Sequence, residues 1–413
     1  MKDRNILLSP LFLRIFIPFG LSFFLTFAIA SANSTMSFIL VSEFALSASD
    51  LGFMSAVYLI ASGLTQFPTG VLLDRYGARI SFTPLLLVGA AGAAIYGAAG
   101  SGSMLILARA LIGTGLGGSL MAAYKAYSSQ ITADRLPLVY SVQSLMGGLG
   151  GMFTARPVAV AMELLGWRKV FFILAAAVVV CAMLVWFMSP EDRPKESVAH
   201  EPFTKLFAGM LSFLGDVRFL LVSAPVTAGQ SVLFAYLYLW IGPWMYDVAG
   251  FDTAKAGYYI MLAFAGTAAG YLGNGVVADW LRNRQWLSWG RLYMISAALI
   301  TLLLAAAAAM NSAAAAPLWI FIMFLSTMEN ISFPITRNMY SGAEVGRALS
   351  LLNFMIFFFS FVCQWLIGAA LNFFPAAAGH FSPEGHRACV AALAAFNFAA
   401  AVGFYYGLRK KMY

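Results

Sequence analysis

Twelve apolar runs, each about the length of a helix that crosses a bilayer, occupy nearly the whole of this chain. A bilayer core takes ~20 consecutive apolar residues per helix. Runs of that length, separated by charges, Gly/Pro clusters or polar turns, fall at about 15–41, 51–73, 80–99, 104–128, 137–162, 169–188, 219–243, 254–278, 292–310, 316–338, 348–372 and 388–407. With their connections they leave no room for a soluble domain. Of the 413 residues, 61% are hydrophobic and 10% charged, against ~25% charged in a soluble domain. That excludes a soluble enzyme, a disordered chain and a nucleic-acid-binding module. The expected class is an all-α membrane protein with 12 transmembrane helices. Lys2 and Arg4 precede a run too long for a signal peptide and lacking a small-residue cleavage site, so it reads as an uncleaved first helix.

Orientation follows from the 25 Lys and Arg residues, because basic residues accumulate in cytoplasmic loops. With the N-terminus inside, the great majority are cytoplasmic, and Arg168, Lys169, Lys255 and Arg387 remain outside. Both termini are therefore expected in the cytoplasm. The net charge of +8 is a topology signal and an attraction to anionic membrane lipid, with no nucleic-acid partner implied. The longest connection, 189–218, carries Pro190, Glu191, Asp192, Arg193, Pro194, Lys195 and Glu196, then an amphipathic stretch around Phe203 to Leu214. It separates an N-terminal six-helix bundle, 1–188, from a C-terminal one, 219–413. An internal repeat supports the division: Gly70, Asp74 and Arg79 recur 205 residues later as Gly275, Asp279 and Arg284. Parallel repeats of this kind place a pathway between two halves that rock against each other.

Between the second and third spans, Gly70-Val-Leu-Leu-Asp74-Arg75-Tyr76-Gly77-Ala78-Arg79 resembles the loop signature of the major facilitator superfamily. Arg109, Gly113 and Gly115 on span four resemble the family's Arg and Gly pattern there, and Gly166-Trp167-Arg168 is similar to its boundary before span six. With the central connection, the resemblance covers essentially the whole chain. It implies two pseudo-symmetric six-helix bundles and a conformational gate formed by Gly70, Asp74, Arg75, Gly77 and Arg79 with their second-half counterparts Asp279 and Arg284. Physically, Gly70 and Gly77 permit close backbone approach. Asp74 sits at a helix C-terminal end, where a carboxylate needs compensation. Arg75, Arg79 or the region near Arg347 could supply it; the alternative is a solvated charge cluster.

Ionisable residues inside the bilayer are costly and are functional candidates by default. Of 17 acids only Glu329, in Thr327-Met328-Glu329-Asn330 on span ten, lies far from any span end. A midplane carboxylate that a proton can neutralise suits a proton-coupled carrier; an ion pair with Arg337 or another base is the structural alternative. Arg156, before Pro157 on span five, is the candidate for reading an anionic substrate. Arg109 lies at a similar height. Two guanidiniums there would repel unless an acid, carbonyls or an anion intervenes. Lys125 is a weaker candidate, placed where it can snorkel to the cytoplasm. Asn33 on span one, Gln230 on span seven and Gln364 on span eleven complete the possible substrate contacts, with helix-packing glue as the alternative for each. Gly147, Gly148, Gly150 and Gly151 on span five allow tight helix contact. His200, His380 and His386 all fall in expected loops, so no histidine relay is anticipated.

The expected function is secondary active transport of a small organic anion or zwitterion across a bacterial inner membrane, coupled to protons, by a monomer. A proton-driven exporter of amphipathic compounds is the alternative within transport. Span five carries Arg156-Pro157 where drug antiporters of the family carry Gly-Pro, and span one has no acid. A non-transporting receptor on the same fold is a further alternative, and the buried charges argue against it. No enzyme chemistry, cofactor or metal is expected: Cys181, Cys363 and Cys389 are widely spaced small core residues, and no GxxxxGK[ST] loop supports ATP drive.

Overall fold

The computed structural model describes residues 9–132, 135–190, 208–284, 286–374 and 380–410, and all regular structure among them is helical. In hydrocarbon a chain must satisfy its own backbone groups, and a helix does so within one segment. The described chain divides into two compact units, residues 1–36 with 57–199 and residues 37–56 with 200–413.

The first unit is built from α1 (Pro10–Phe44), α2 (Ala48–Gly97), α3 (Gly102–Leu116), α4 (Ser119–Gln130), α5 (Leu136–Phe153), α6 (Ala159–Leu165) and α7 (Trp167–Met188). The α2 run contains the expected spans two and three. They are separated at Gly77, whose φ of 78° breaks the helix in a region that L side chains avoid. Ser81 Oγ donates to Leu72 O across this break, 2.7 Å. Span four is divided at Gly117 and Gly118 into α3 and α4. Span five runs from α5 into α6 through a π turn, Thr154–Val158, that contains Arg156 and Pro157. Its glycines fit against α1 as expected: a Cβ at Gly150 would lie 2.1 Å from Phe24 O, and one at Gly147 2.7 Å from Phe23 Cε1. Thr154 Oγ1 donates to Ala28 O, 2.9 Å, on the same seam.

The second unit holds the α1–α2 connection with α8 (Val217–Ala235), α9 (Ile241–Asp247), α10 (Thr253–Asn283), α11 (Trp289–Met310), α12 (Ala316–Met328), α13 (Ser332–Met339), α14 (Ala343–Leu371) and α15 (Pro383–Arg409). A π turn, Tyr236–Trp240, joins α8 to α9, and a 3₁₀ turn, Glu329–Ile331, joins α12 to α13. Pro225 interrupts the α8 backbone ladder, and α11 repairs it. The Tyr293 hydroxyl accepts from Val226 N at 2.7 Å and donates to Val222 O at 2.8 Å, bridging a pair that a regular helix would close directly.

Nine helical runs among the described residues are long and apolar enough to cross a membrane, Ala48–Gly97 counted once. Of the amphipathic stretch expected around Phe203 to Leu214, residues 203–207 lie outside the described residues, which resume at 208 with a short helical segment, a 3₁₀ turn at Ser212–Gly215, and Asp216 capping α8.

Candidate functional site

In the first unit the buried base is engaged through both terminal nitrogens of its guanidinium, while its Nε has no hydrogen-bond partner among the described residues. Arg109 is completely enclosed, and its Nη1 donates to Ile29 O at 3.2 Å and Ala30 O at 3.3 Å. Nη2 donates to Asn33 Oδ1, which also accepts from Tyr96 OH at 2.8 Å. The guanidinium lies 5.0 Å from the Tyr96 ring centroid. Arg109 and Asn33, expected as substrate contacts, thus spend their polar groups on a knot tying α3 to α1 and α2. Carbonyls and an amide, with no acid among these contacts, answer the charge.

Arg156 differs in every respect. It is exposed, in the π turn, and no hydrogen bond or ion pair engages it among the described residues. A π turn shifts the register of every following side chain and recurs at functional sites.

At the α2 break, Asp74 pairs with Lys125 of α4, Nζ to Oδ1 2.5 Å. The compensation anticipated from Arg75, Arg79 or Arg347 comes from Lys125, which in this structure belongs to the loop cluster. Arg75 lies over the Tyr76 ring at 5.1 Å and Arg79 over Trp186 at 4.9 Å. Gly77 is required by its backbone angle. Gly70 makes no close approach, since a Cβ there would meet only Met121 Cε at 3.5 Å.

The second unit holds the unanswered acid. Glu329 is completely buried in the 3₁₀ turn, and neither Oε1 nor Oε2 has a hydrogen-bond partner among the described residues. The anticipated ion pair with Arg337 is absent, Arg337 being exposed at the end of α13. The carboxyl fills the space left by a missing side chain at Gly229 of α8: a Cβ there would lie 1.7 Å from Oε2 and 2.5 Å from Cδ. Beside it, Gln230 Nε2 donates to Ser326 O at 2.9 Å and Asn330 Oδ1 at 3.4 Å, so Gln230 fastens α8 to the turn. Asn274 of α10 donates to Thr327 Oγ1 at 2.6 Å. Gln364 is fully buried with both amide atoms unpartnered, while its backbone carbonyl accepts from Trp240 Nε1 at 2.9 Å. Asp279 lies on α10 with its side chain outside the described residues, and Arg284 lies beside the paired Trp280 and Trp286 rings, 4.8 and 5.6 Å from their centroids.

A family model described as the Major Facilitator Superfamily matches residues 19–363. The chain belongs to the major facilitator superfamily. It is 23% identical over 306 residues to a probable sulfoacetate transporter of Cupriavidus necator, covering 69% of this chain and 67% of that one. It is also 23% identical over 388 residues to a hexuronate transporter of Bacillus subtilis, covering 89% and 90% respectively. Among solved structures, a bacterial homolog of the human lysosomal transporter Spinster, in an inward-facing and occupied conformation, matches with a TM-score of 0.73 at 15% identity over 97% of both chains. The chain is accordingly a multi-pass membrane transporter.

One cluster of this superfamily member was not anticipated. His386 lies in the first turns of α15, not in a loop, and is completely buried, with Nε2 3.5 Å from Asp247 Oδ2. His380 Nδ1 lies 2.7 Å from Asp247 Oδ1, and Phe381 N donates to Oδ2 at 3.1 Å. The signal was present: Ser382-Pro383-Glu384 is a helix start, and Ser382 Oγ accepts from Gly385 N at 3.4 Å. His200 lies outside the described residues.

Proposed function

We propose that this chain carries a small organic anion across a bacterial inner membrane by alternating access, coupled to protons, with Arg156 reading the anion and Glu329 carrying the proton. The observation behind the substrate class is the state of Arg156. An arginine within a span is too costly to leave to lipid, and this one has no protein partner among the described residues, so its guanidinium is available to a carboxylate or sulfonate. The relatives named for sulfoacetate and hexuronate, both anionic, support the same class.

Twelve crossings follow if Ala48–Gly97 crosses twice about Gly77 and the runs 136–165 and 253–283 each cross once. Two six-helix halves, cytoplasmic termini and a monomer complete the reading, with the Asp74–Lys125 loop cluster acting as a conformational latch.

Coupling rests on the cost of charge. The Glu329 slot accommodates a neutral carboxyl, whereas an ionised one would be a buried charge without a counter-charge or hydrogen bond. The test uses purified protein with glucuronate, galactonate and sulfoacetate as probe anions and glucuronamide as the neutral counterpart, followed by thermal shift and calorimetry. Arg156→Ala should abolish the preference for an anion over its neutral counterpart, and Arg156→Lys should restore part of it. Equal loss for both ligands, or loss for neither, removes Arg156 from anion recognition.

A further inference from the structure

Most buried serines and threonines of the second unit return their hydroxyl to a carbonyl on their own helix. Thr227, Ser231, Thr267, Ser326 and Ser360 each donate to the residue four positions back. Ser37 and Ser55 do not, nor do Ser332 and Thr336. The last two are fully buried on α13, and neither hydroxyl has a partner among the described residues. Buried hydroxyls in native proteins are normally satisfied, so an unpartnered pair on one helix calls for a function.

Their spacing supplies one. In a 3₁₀ turn side chains three apart eclipse, so the Glu329–Ile331 turn brings Ser332 directly under Glu329. Thr336, four residues further along the α-helix, lies on the same face. The steps are ~6 Å for three residues of 3₁₀ rise and ~6 Å for four of α rise. Two hydrogen bonds through one water span ~5.6 Å. One more turn reaches Tyr340, whose hydroxyl donates to Asp216 at 2.8 Å at the Met339 end of the helix. The helices packed on this face, α8, α11 and α14, carry Arg218, Arg291, Glu344 and Arg347 near one end, and α13 has Arg337 in its last turn. Among the described residues of these helices, Glu329 is the one acid away from the helix ends, and the Tyr293 hydroxyl of α11 is held by Val226 N and Val222 O of α8.

We infer that Ser332 and Thr336, with one water bridging each of the three gaps Glu329–Ser332, Ser332–Thr336 and Thr336–Tyr340, form a proton path from Glu329 to the Tyr340–Asp216 end of the helix, which is cytoplasmic in the proposed orientation. The inference rests on the reading of Glu329 as the coupling acid. A proton leaves the Glu329 carboxyl for the first water as that water passes another to Ser332, and the hydroxyls relay it without net change. Ser332 and Thr336 are relay residues, and the 3₁₀ turn sets Ser332 in line with Glu329.

The experiment is infrared spectroscopy of the protein reconstituted in lipid, following hydrogen–deuterium exchange of the Glu329 carboxyl band after transfer to heavy water. The band is identified by its disappearance in Glu329→Gln. Ser332→Ala and Thr336→Val should each slow its exchange about tenfold, the effect of removing one hydrogen bond from a relay. Thr336→Ser should restore the rate. Ser326→Ala, which removes an already satisfied hydroxyl on the other side of Glu329, should leave it unchanged. Wild-type exchange in the Ser332→Ala/Thr336→Val double variant, or equal slowing in Ser326→Ala, overturns the path while leaving Glu329 as the coupling acid. If no carboxyl band vanishes in Glu329→Gln, the acid carries no proton and both readings fall.

Discussion

The contact between Gly229 and Glu329 can be tested without knowing the substrate. In Gly229→Ala the new methyl would lie 1.7 Å from Glu329 Oε2 and 2.5 Å from Cδ, where real Cβ contacts essentially never fall below 3.0 Å. The carboxyl must therefore retreat by more than about 1 Å. It is the free end of a side chain, but one completely enclosed by protein, so the retreat displaces neighbours. Overpacking of that kind costs ~1–3 kcal/mol, and replacing a mid-helix glycine by alanine returns ~0.5–1 kcal/mol. Gly229→Ala should therefore lose up to about 2.5 kcal/mol. In a Glu329→Ala background the vacated slot receives the methyl, and only the helix gain of ~0.5–1 kcal/mol should remain. The assay is a double-mutant cycle on unfolding of the purified protein in lipid micelles, read by tryptophan fluorescence. Additivity of the two substitutions within ~0.5 kcal/mol would refute the packing of the carboxyl into the Gly229 notch.

Tyr293→Phe should lower stability by ~1–3 kcal/mol, because Val226 N and Val222 O lose the hydroxyl that bridges them beside Pro225; thermal unfolding measures it, and ligand affinity should not change. Arg109→Ala should cost ~2–3 kcal/mol in the absence of any ligand, since Ile29 O, Ala30 O and Asn33 lose a charged donor; calorimetric unfolding should show partial rescue by Lys. Burial opposes ionisation of Asp216, but hydrogen bonds from Arg218 and Tyr340 outweigh it and hold the carboxylate below its usual range. Its contribution to stability is then complete above the unfolded value of ~3.9 and lost as pH falls through the folded one. Melting temperatures across the acid range should therefore decline less steeply for Asp216→Asn than for wild type.

Helix positions were legible because lipid leaves a long apolar run little alternative, and the Gly77 break because Gly-x-Arg punctuates two apolar runs. The π turn at Thr154–Val158 had a local cue in Pro157. The one at Tyr236–Trp240 had none: its Tyr236 ring stacks 4.1 Å from Trp319, so a partner 83 residues away helps hold the register. The candidate residues stood out by type, and their pairing did not. Glu329 stood out as the one central acid, yet nothing in its own neighbourhood announced that Gly229 would make room for it. Lys125 reaches Asp74 across 51 residues, a contact that periodicity on either helix cannot encode. Arg109 and Arg156 looked alike as membrane-embedded guanidiniums, and only tertiary packing separates one bound to three backbone or amide oxygens from one left open.

That separation bears on how a proton could drive an anion. A guanidinium does not shed its proton, so its burial has to be satisfied permanently, and Arg109 is held by α1 in a way independent of any ligand. A carboxyl can be buried in either of two charge states, and only the neutral one is compatible with a slot that offers no donor and no cation among the described residues. The first unit therefore contains a fixed buried charge and an open one at Arg156, while the second contains a charge that can be switched off. On the proposed function, an anion arriving at Arg156 and a proton arriving at Glu329 would each remove an uncompensated charge from the membrane interior. A conformational step that takes both groups through a water-excluded state is cheapest when both have been neutralised. Coupling on this account requires no direct contact between anion and proton, only that the same closed state penalise either charge left bare.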